Sequence, residues 1–157
     1  MALADGDQPG EREPDRVLAI ASMTQPPLQA DVQRARTAIL EAELMQRPSD
    51  RFLAAHAAAL RVAAIVLALR THPGLAQRRS RPRNAWRLVA EVAPGFAEWA
   101  AFFASTEAKR DAVRAGATTI VSAREADDLV RDAQAFLTLV EQAAHRSAAS
   151  RPIRLEG

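Results

Sequence analysis

The sequence predicts an all-α fold, an up-and-down bundle of four to five helices. Alanine dominates the hydrophobic 48% of the 157 residues, and alanine loses no side-chain entropy on entering a helix. Aromatic residues make up only 4%, and no long stretch alternates apolar and polar residues as a strand does. Apolar residues instead recur at spacings of three and four, the period of a helix that buries one face.

The helical pattern is confined to the middle of the chain. We expect a bundle domain over residues 27–146, with a flexible acidic tail at 1–26 and a second flexible tail at 147–157. The first helix is predicted from about residue 27 to residue 46, before Pro48. Its predicted buried stripe consists of Leu28, Val32, Ala35, Ile39 and Ala42.

The second predicted helix is apolar on nearly every side. It begins after Ser49 or Asp50, either of which can cap it, and continues to about Thr71. A helix without a polar face is stable in water only when other elements surround it. We therefore expect this helix at the centre of the bundle.

Short helical pieces and one long helix complete the predicted bundle. A Pro-Gly pair at 94–95 interrupts the short pieces, and Gly116 ends the last of them. Ser122 and Glu125 form a capping box, in which each side chain bonds the backbone amide of the other residue, and so start the last helix. The predicted buried stripe of that helix is Ala126, Leu129, Ala133, Phe136, Val140 and Ala143.

Positive charge is concentrated between residues 51 and 87. This stretch carries eight arginines and no acid, although the whole chain has 21 lysines and arginines against 19 acids. Half of the eight lie in a predicted loop, residues 72–83, which we call the basic loop. Arginine binds phosphate oxygens through two parallel hydrogen bonds, and a tryptophan beside the loop can stack on a base. The predicted nucleic-acid-binding residues are Arg78, Arg79, Arg81, Arg83, Asn84, Trp86 and Arg87.

An alternative applies to the arginines of the second helix. Arg51 and Arg61 can instead pair with acids of the last helix, such as Asp127, Asp128 or Asp132, and hold the bundle in register. The loop arginines have fewer expected partners. Binding of a polyanion is therefore the preferred interpretation for the basic loop.

Arg51 and His56 are the candidate catalytic residues. An arginine followed by a histidine at this spacing is used by some metal-independent ribonucleases, in which histidine moves the proton of a ribose hydroxyl and arginine stabilises the phosphate charge. On a regular helix the two side chains lie about 140° apart, so they converge only if Arg51 lies on an irregular first turn. The alternative is that His56 is a core or interface histidine.

Several kinds of site and location are not predicted. The chain has no cysteine, which excludes disulfides and thiolate metal sites. No metal-ligand spacing, glycine-rich phosphate loop or serine-histidine-acid set is present, so no metal or cofactor is expected. The acidic N terminus lacks the features of a secretory signal, and His56 and Arg61 interrupt the longest apolar stretch. We expect a cytoplasmic protein without a membrane span.

Four stretches of the chain carry a resemblance to a known superfamily. Residues 51–61, 81–86, 96–103 and 122–131 together resemble an uncharacterised high-GC bacterial branch of the HEPN superfamily (higher eukaryotes and prokaryotes nucleotide-binding). The resemblance extends over residues 28–144. It implies a four- to five-helix bundle, usually a homodimer, that cleaves RNA without a metal or binds RNA or nucleotides. Toxins and RNA-processing domains are among its members.

The resemblance also implies where a catalytic motif belongs. In catalytic members of the superfamily the arginine-histidine motif lies near the start of the last long helix, at the dimer interface. Here that region, residues 114–128, contains no histidine. We therefore predict a domain that binds RNA or nucleotides and that is, at most, an atypical endoribonuclease. The alternative is a non-enzymatic interaction module, for example the partner of a nucleotidyltransferase or of a toxin.

Overall fold

The computed structural model describes the backbone of residues 13–70 and 85–150, and the side chains of residues 28–70 and 85–150. Within these ranges every regular element is helical, which confirms the all-α prediction. The elements in chain order are α1 (Glu13–Leu44), α2 (Pro48–Arg70), α3 (Ala85–Val92), a 3₁₀ turn (Pro94–Phe96), α4 (Ala97–Ser105), α5 (Glu107–Arg114) and α6 (Ala123–Ala149).

The central element is α2, as its composition predicts. It packs against α1 and α6 along its length and against α3 and α5 on another side. Of the helices described, α2 is long and apolar enough to cross a bilayer, a property that it shares with core helices of globular proteins. One face of α2 nevertheless remains open to solvent, and its exposed residues are Ala57, Arg61, Ala64 and Ala68.

The two outer long helices bury the faces that their spacing predicts. In α1, Ala35, Ile39 and Ala42 are buried, and Leu28 and Val32 pack half-buried against the same core. In α6 the stripe from Ala126 to Val140 is buried in full, and Ala143 at its end is half-buried. An ion pair of 2.8 Å between Arg36 and Glu141 joins α1 to α6.

Two helix boundaries differ clearly from the prediction, and α2 also begins at Pro48, before both predicted capping residues. The first helix starts at Glu13, well before residue 27, and it continues through the Pro26-Pro27 pair. Proline destabilises a helix interior by about 3 kcal/mol but does not forbid it, and Pro14 falls in the first turn, where a missing amide proton breaks no bond. The last helix extends to Ala149 instead of ending near residue 146. Residues 1–12 and 151–157, which form part of the two predicted tails, lie outside the described residues.

The connection between α5 and α6 has the predicted capping residues. Gly116 follows the C-cap of α5 with a φ of 113°. The amide of Gly116 bonds the Val113 carbonyl at 3.0 Å and the amide of Ala117 bonds the Ala112 carbonyl at 3.0 Å, the two bonds of a Schellman motif.

A capping box starts α6, as predicted. The Glu125 amide donates to the Ser122 hydroxyl, and the Ser122 amide donates to the Glu125 carboxylate. A hydrogen bond from Lys109, with the Ser122 amide, holds the pKa of Glu125 below its usual value. The capping box therefore also joins α5 to α6.

Aromatic side chains form the wall of the core opposite α1. Trp86 stacks on Phe103 with ring centroids 4.9 Å apart, and Trp99 stacks on Phe136 at 5.7 Å. Phe96 meets the edge of Phe136 at 5.8 Å. This cluster fixes α3 and α4 against α6 and closes the core on that side.

Candidate functional site

Arg51 lies in the first turns of α2, where the three long helices meet. Its Nη1 donates to Asp127 Oδ1 at 2.7 Å, and its Nε donates to the Met45 carbonyl at 3.0 Å. The side chain is only 17% exposed, whereas that of Asp127 is 57% exposed. The prediction that Arg51 pairs with an acid of the last helix is therefore confirmed.

A shallow cleft of about 480 Å³ opens beside this ion pair. Its lining residues are Glu43, Arg51, Asp127, Val130 and Arg131. Acidic and basic groups are present in equal number, and Arg131 pairs with Asp128. The cleft consequently offers no net positive charge to a phosphate.

His56 lies on a different side of α2, in the core. The residue is fully buried, its ring meets the edge of Trp86 at 6.4 Å, and neither ring nitrogen has a hydrogen-bond partner. Burial, helped by the positive charge of Arg110, lowers the pKa of His56 to about 4. The nearby Phe103 carbonyl and Asp111 act in the opposite direction but do not reverse the shift. His56 is therefore neutral at pH 7.

The structure does not bring Arg51 and His56 together as a catalytic pair. Arg51 points to α6 and the end of α1, and His56 points to α3 and α5. The reason is the helical geometry itself, because five residues of regular helix separate the two side chains by about 140°. A histidine without solvent contact cannot reach a ribose hydroxyl, so the catalytic prediction for this pair is corrected.

Trp86 also departs from its predicted role. Its side chain is 3% exposed, stacks on Phe103 of α4 and contacts Phe136 of α6 at a tilt of 49°. A base cannot stack on a ring whose faces are already covered. The first turn of α3 is apolar on its inner face, which explains why the tryptophan turns inward, and the prediction of a stacking tryptophan is corrected.

Arg87 is the predicted nucleic-acid-binding residue that remains on the described surface. Its side chain is 77% exposed and its Nε lies 3.3 Å from Glu91 of the same helix. An exposed pair of this kind contributes little to stability and is easily exchanged for a ligand. The other predicted binding residues, namely Arg78, Arg79, Arg81, Arg83 and Asn84, lie outside the described residues.

Two further arginines of the acid-free stretch are not among the predicted binding residues. Arg61 and Arg70 are exposed, and neither has an ion pair with a side chain of the described ranges. The alternative that Arg61 pairs with the last helix is therefore wrong, because Arg61 lies on the open face of α2. Arg70 is in the last turn of α2, next to the basic loop. The sequence signal that could have indicated Arg70 as a binding residue is its position in the acid-free stretch.

The described residues offer no metal centre. No group of three or more histidines or acids in residues 28–70 and 85–150 is close enough to hold an ion.

The fold and site together define a helical-bundle domain with an arginine-rich connection and a histidine that is structural. The SAV_6107-like HEPN family model matches residues 42–141, almost two thirds of the chain. The chain belongs to this HEPN family. Neither a curated protein nor a solved structure gave a match. The match extends from the end of α1 to residue 141 in α6, and it includes both the acid-free stretch and the aromatic core.

Proposed function

We propose that this HEPN domain binds RNA or a nucleotide through the basic loop and does not cleave it. The observation that carries the proposal is the distribution of charge. The described side chains, residues 28–70 and 85–150, comprise thirteen cations and thirteen acids. The basic loop between α2 and α3 adds four arginines and no acid. The domain is thus neutral apart from one positive segment.

The chemistry of that segment favours phosphate as its ligand. Every cation in it is arginine, whose planar fork matches two oxygens of one phosphate. Arg70 and Arg87, which flank the loop in sequence, are exposed and so extend the same positive charge. A single-stranded RNA or a nucleotide presents phosphates that such a loop can contact without a rigid groove.

The burial of His56 supports binding without cleavage. Acid-base cleavage of RNA needs a group within hydrogen-bond reach of the ribose hydroxyl. His56 is buried and neutral, and Arg51 is held by Asp127 and the Met45 carbonyl. The sequence has no histidine in residues 114–128, the region at the start of α6.

The binding proposal is tested with a fluorescent single-stranded RNA of about 20 nucleotides in a salt series, read by anisotropy. One variant changes Arg78, Arg79, Arg81 and Arg83 to glutamine. Its matched control changes four exposed helical arginines to glutamine, and these are Arg114, Arg124, Arg131 and Arg146. Both variants remove four positive charges, so any difference in RNA affinity between them reports the effect of where the arginines lie.

We expect the parent to bind with an affinity that falls steeply with salt, by a factor of about ten or more between 50 and 200 mM. The loop variant should bind at least about tenfold more weakly and with a shallower salt dependence, because removal of one phosphate-binding arginine lowers the slope by roughly 0.7 to 1. If both variants lost RNA affinity to the same extent, the effect would depend on net charge and not on the position of the loop arginines, and this outcome would contradict the proposal. Absence of binding by the parent would contradict the proposal and favour the interaction-module alternative.

The absence of cleavage is tested separately, with the same RNA incubated in EDTA. Intact RNA is expected for the parent and for His56→Ala alike. Cleavage by the parent that His56→Ala abolishes, with the helical content of the variant unchanged by circular dichroism, would give His56 a catalytic role and contradict this part of the proposal.

A further inference from the structure

A small cavity between α1 and α2 contains two arginines and one acid. Its volume is about 130 Å³, and its lining residues are Asp31, Arg34, Arg61, Ala64 and Ile65. The larger cleft beside Arg51 has acids and arginines in equal number, whereas this cavity, which we call the α1–α2 cavity, has one cation in excess among its lining residues. The α1–α2 cavity therefore attracts an anion more strongly than the larger cleft does.

Arg61 supplies the excess positive charge. It is the only residue charged at pH 7 between Phe52 and Leu69. The other residues on its solvent-exposed face of α2 are Ala57, Ala64 and Ala68. Alanine side chains are too short to cover a guanidinium group, and Arg61 has neither an ion pair nor a hydrogen bond with a described side chain. Its five N–H donors are therefore available to a ligand.

Arg34 lines the same cavity from α1. Its Nη2 donates to Asp31 one turn away on that helix. The side chain of Arg34 nevertheless stays 60% exposed, so its remaining N–H donors are open. Because an exposed pair of this kind is weak, a doubly charged anion can share Arg34 with Asp31 or displace the carboxylate.

We propose that the α1–α2 cavity binds a single phosphate group, held by Arg34 from one helix and Arg61 from the other. Each guanidinium group can donate two parallel hydrogen bonds to phosphate oxygens. The cavity has the volume of about four waters at ~30 Å³ each, which suits the four oxygens of one phosphate. Pockets that enclose a whole small molecule are larger, about 300 Å³ or more. Any sugar or base attached to the phosphate therefore stays in solvent.

This site does not depend on the proposed function. Its named lining residues lie on α1 and α2, and none of them belongs to the basic loop. The phosphate can be a free phosphate ion or the terminal phosphate of an RNA, since the two present the same charge and the same oxygens. The experiment below separates these two sources.

Phosphate binding is tested by titration of inorganic phosphate into the ¹⁵N-labelled full chain at constant ionic strength, followed by NMR of backbone amides and arginine Nε–Hε groups. We expect the signals of Arg34, Arg61, Ala64 and Ile65 to shift together and to saturate, with a dissociation constant on the order of 1 mM. Arg61→Gln should raise that constant at least about tenfold, because the remaining arginine is already shared with an acid.

The matched control is Arg146→Gln, which removes another exposed arginine that has no ion pair with a described side chain. It should leave the dissociation constant unchanged. Circular dichroism melting checks that each variant stays folded. No saturable shift up to about 20 mM phosphate, or equal weakening by Arg61→Gln and Arg146→Gln, would overturn the proposal.

Asp31→Asn gives a test of opposite sign. It removes a negative charge from the cavity and releases Arg34, so phosphate should bind about threefold more tightly or better. General damage to the cavity would weaken binding instead, and weaker binding by this variant would overturn the proposal.

A short RNA with a 5′-phosphate and the same RNA with a 5′-hydroxyl distinguish the two sources. Shifts at Ala64 and Ile65 with the phosphorylated RNA alone would assign the site to a terminal phosphate, and shifts with inorganic phosphate alone would assign it to the free ion. Equal shifts with both RNAs would contradict a site for a single phosphate group. The variant without the four loop arginines should keep the response to inorganic phosphate, so failure of this site and failure of RNA binding by the basic loop give different results.

Discussion

The His56 imidazole exchanges water for an apolar environment when the chain folds. Both of its nitrogens and Nε1 of Trp86 are buried without hydrogen-bond partners. An unsatisfied buried polar atom destabilises a protein by about 1–3 kcal/mol. The stacked and edge-on contacts of Trp86 with its aromatic neighbours offset part of that cost. The site therefore tolerates a neutral imidazole and opposes a charged one.

The buried His56 should make the free energy of unfolding depend on pH. The pKa of His56 is about 4 in the folded chain against 6.5 for the free side chain, so below pH 6.5 the unfolded state binds a proton that the folded state does not. The contribution of this group to the free energy of unfolding should be constant above pH 6.5 and fall by about 3 kcal/mol between pH 6.5 and 4. Urea unfolding at a series of pH values measures it.

The control for that experiment is His56→Leu, which cannot titrate. Its unfolding free energy should lack this component, so the stability of the variant relative to the parent should rise as the pH falls. Parallel pH curves for the two proteins would show that burial of His56 does not control acid stability.

At the scale of elements, the short helices depend on how they end. The turn after α5 places Gly116 at a φ of 113°, and an added Cβ there would meet no atom within 4 Å. Any effect of a side chain at this position is therefore conformational and not steric. The Schellman bonds to Val113 and Ala112 satisfy carbonyls that would otherwise end α5 unpaired.

Gly116→Ala should lower the free energy of unfolding by about 1–2 kcal/mol, because a Cβ is unfavourable at positive φ. Gly95→Ala is the matched control. Gly95 likewise has no atom within 4 Å of an added Cβ, and its φ is not positive. Its substitution should change stability by about 0.5 kcal/mol or less. Equal effects of the two substitutions, measured by urea unfolding, would contradict the assignment of strain to the Gly116 turn.

At the scale of the whole molecule, Arg51 links the three long helices. It extends from α2, bonds Asp127 of α6, and bonds the Met45 carbonyl in the connection that follows α1. Arg51, which the sequence analysis named as a candidate catalytic residue, therefore stabilises the fold. Its low exposure favours a structural role, since a phosphate would have to displace both partners.

Arg51→Met should destabilise the chain by about 1 kcal/mol, because it removes both hydrogen bonds and leaves the Met45 carbonyl to solvent. Arg131→Met is the control, since the pair of Arg131 with Asp128 lies within α6 and is more exposed. It should cost only a few tenths of a kcal/mol. Thermal unfolding of both variants compares the loss of an ion pair between helices with the loss of one within a single helix. A larger destabilisation by Arg131→Met than by Arg51→Met would contradict this role of Arg51.

Local sequence signals predicted the helices more reliably than the site. The Ser122–Glu125 capping box, the Gly116 turn and the buried stripes of α1 and α6 follow from spacings of three and four residues and from side chains that bond their own backbone. The start of α1 was missed because a proline pair inside a helix lowers its stability without ending it.

The sequence alone predicts a helical protein with a central α2 and with positive charge concentrated in one connection. Those properties depend on composition and on contacts within a few residues. The partners of Arg51, His56 and Trp86 depend instead on the tertiary packing. Because α2 is apolar on nearly every side, its sequence cannot show which face each neighbour covers. The packing of α3, α5 and α6 determines which face of α2 is covered. As a result, the candidate catalytic histidine and the candidate stacking tryptophan are core residues.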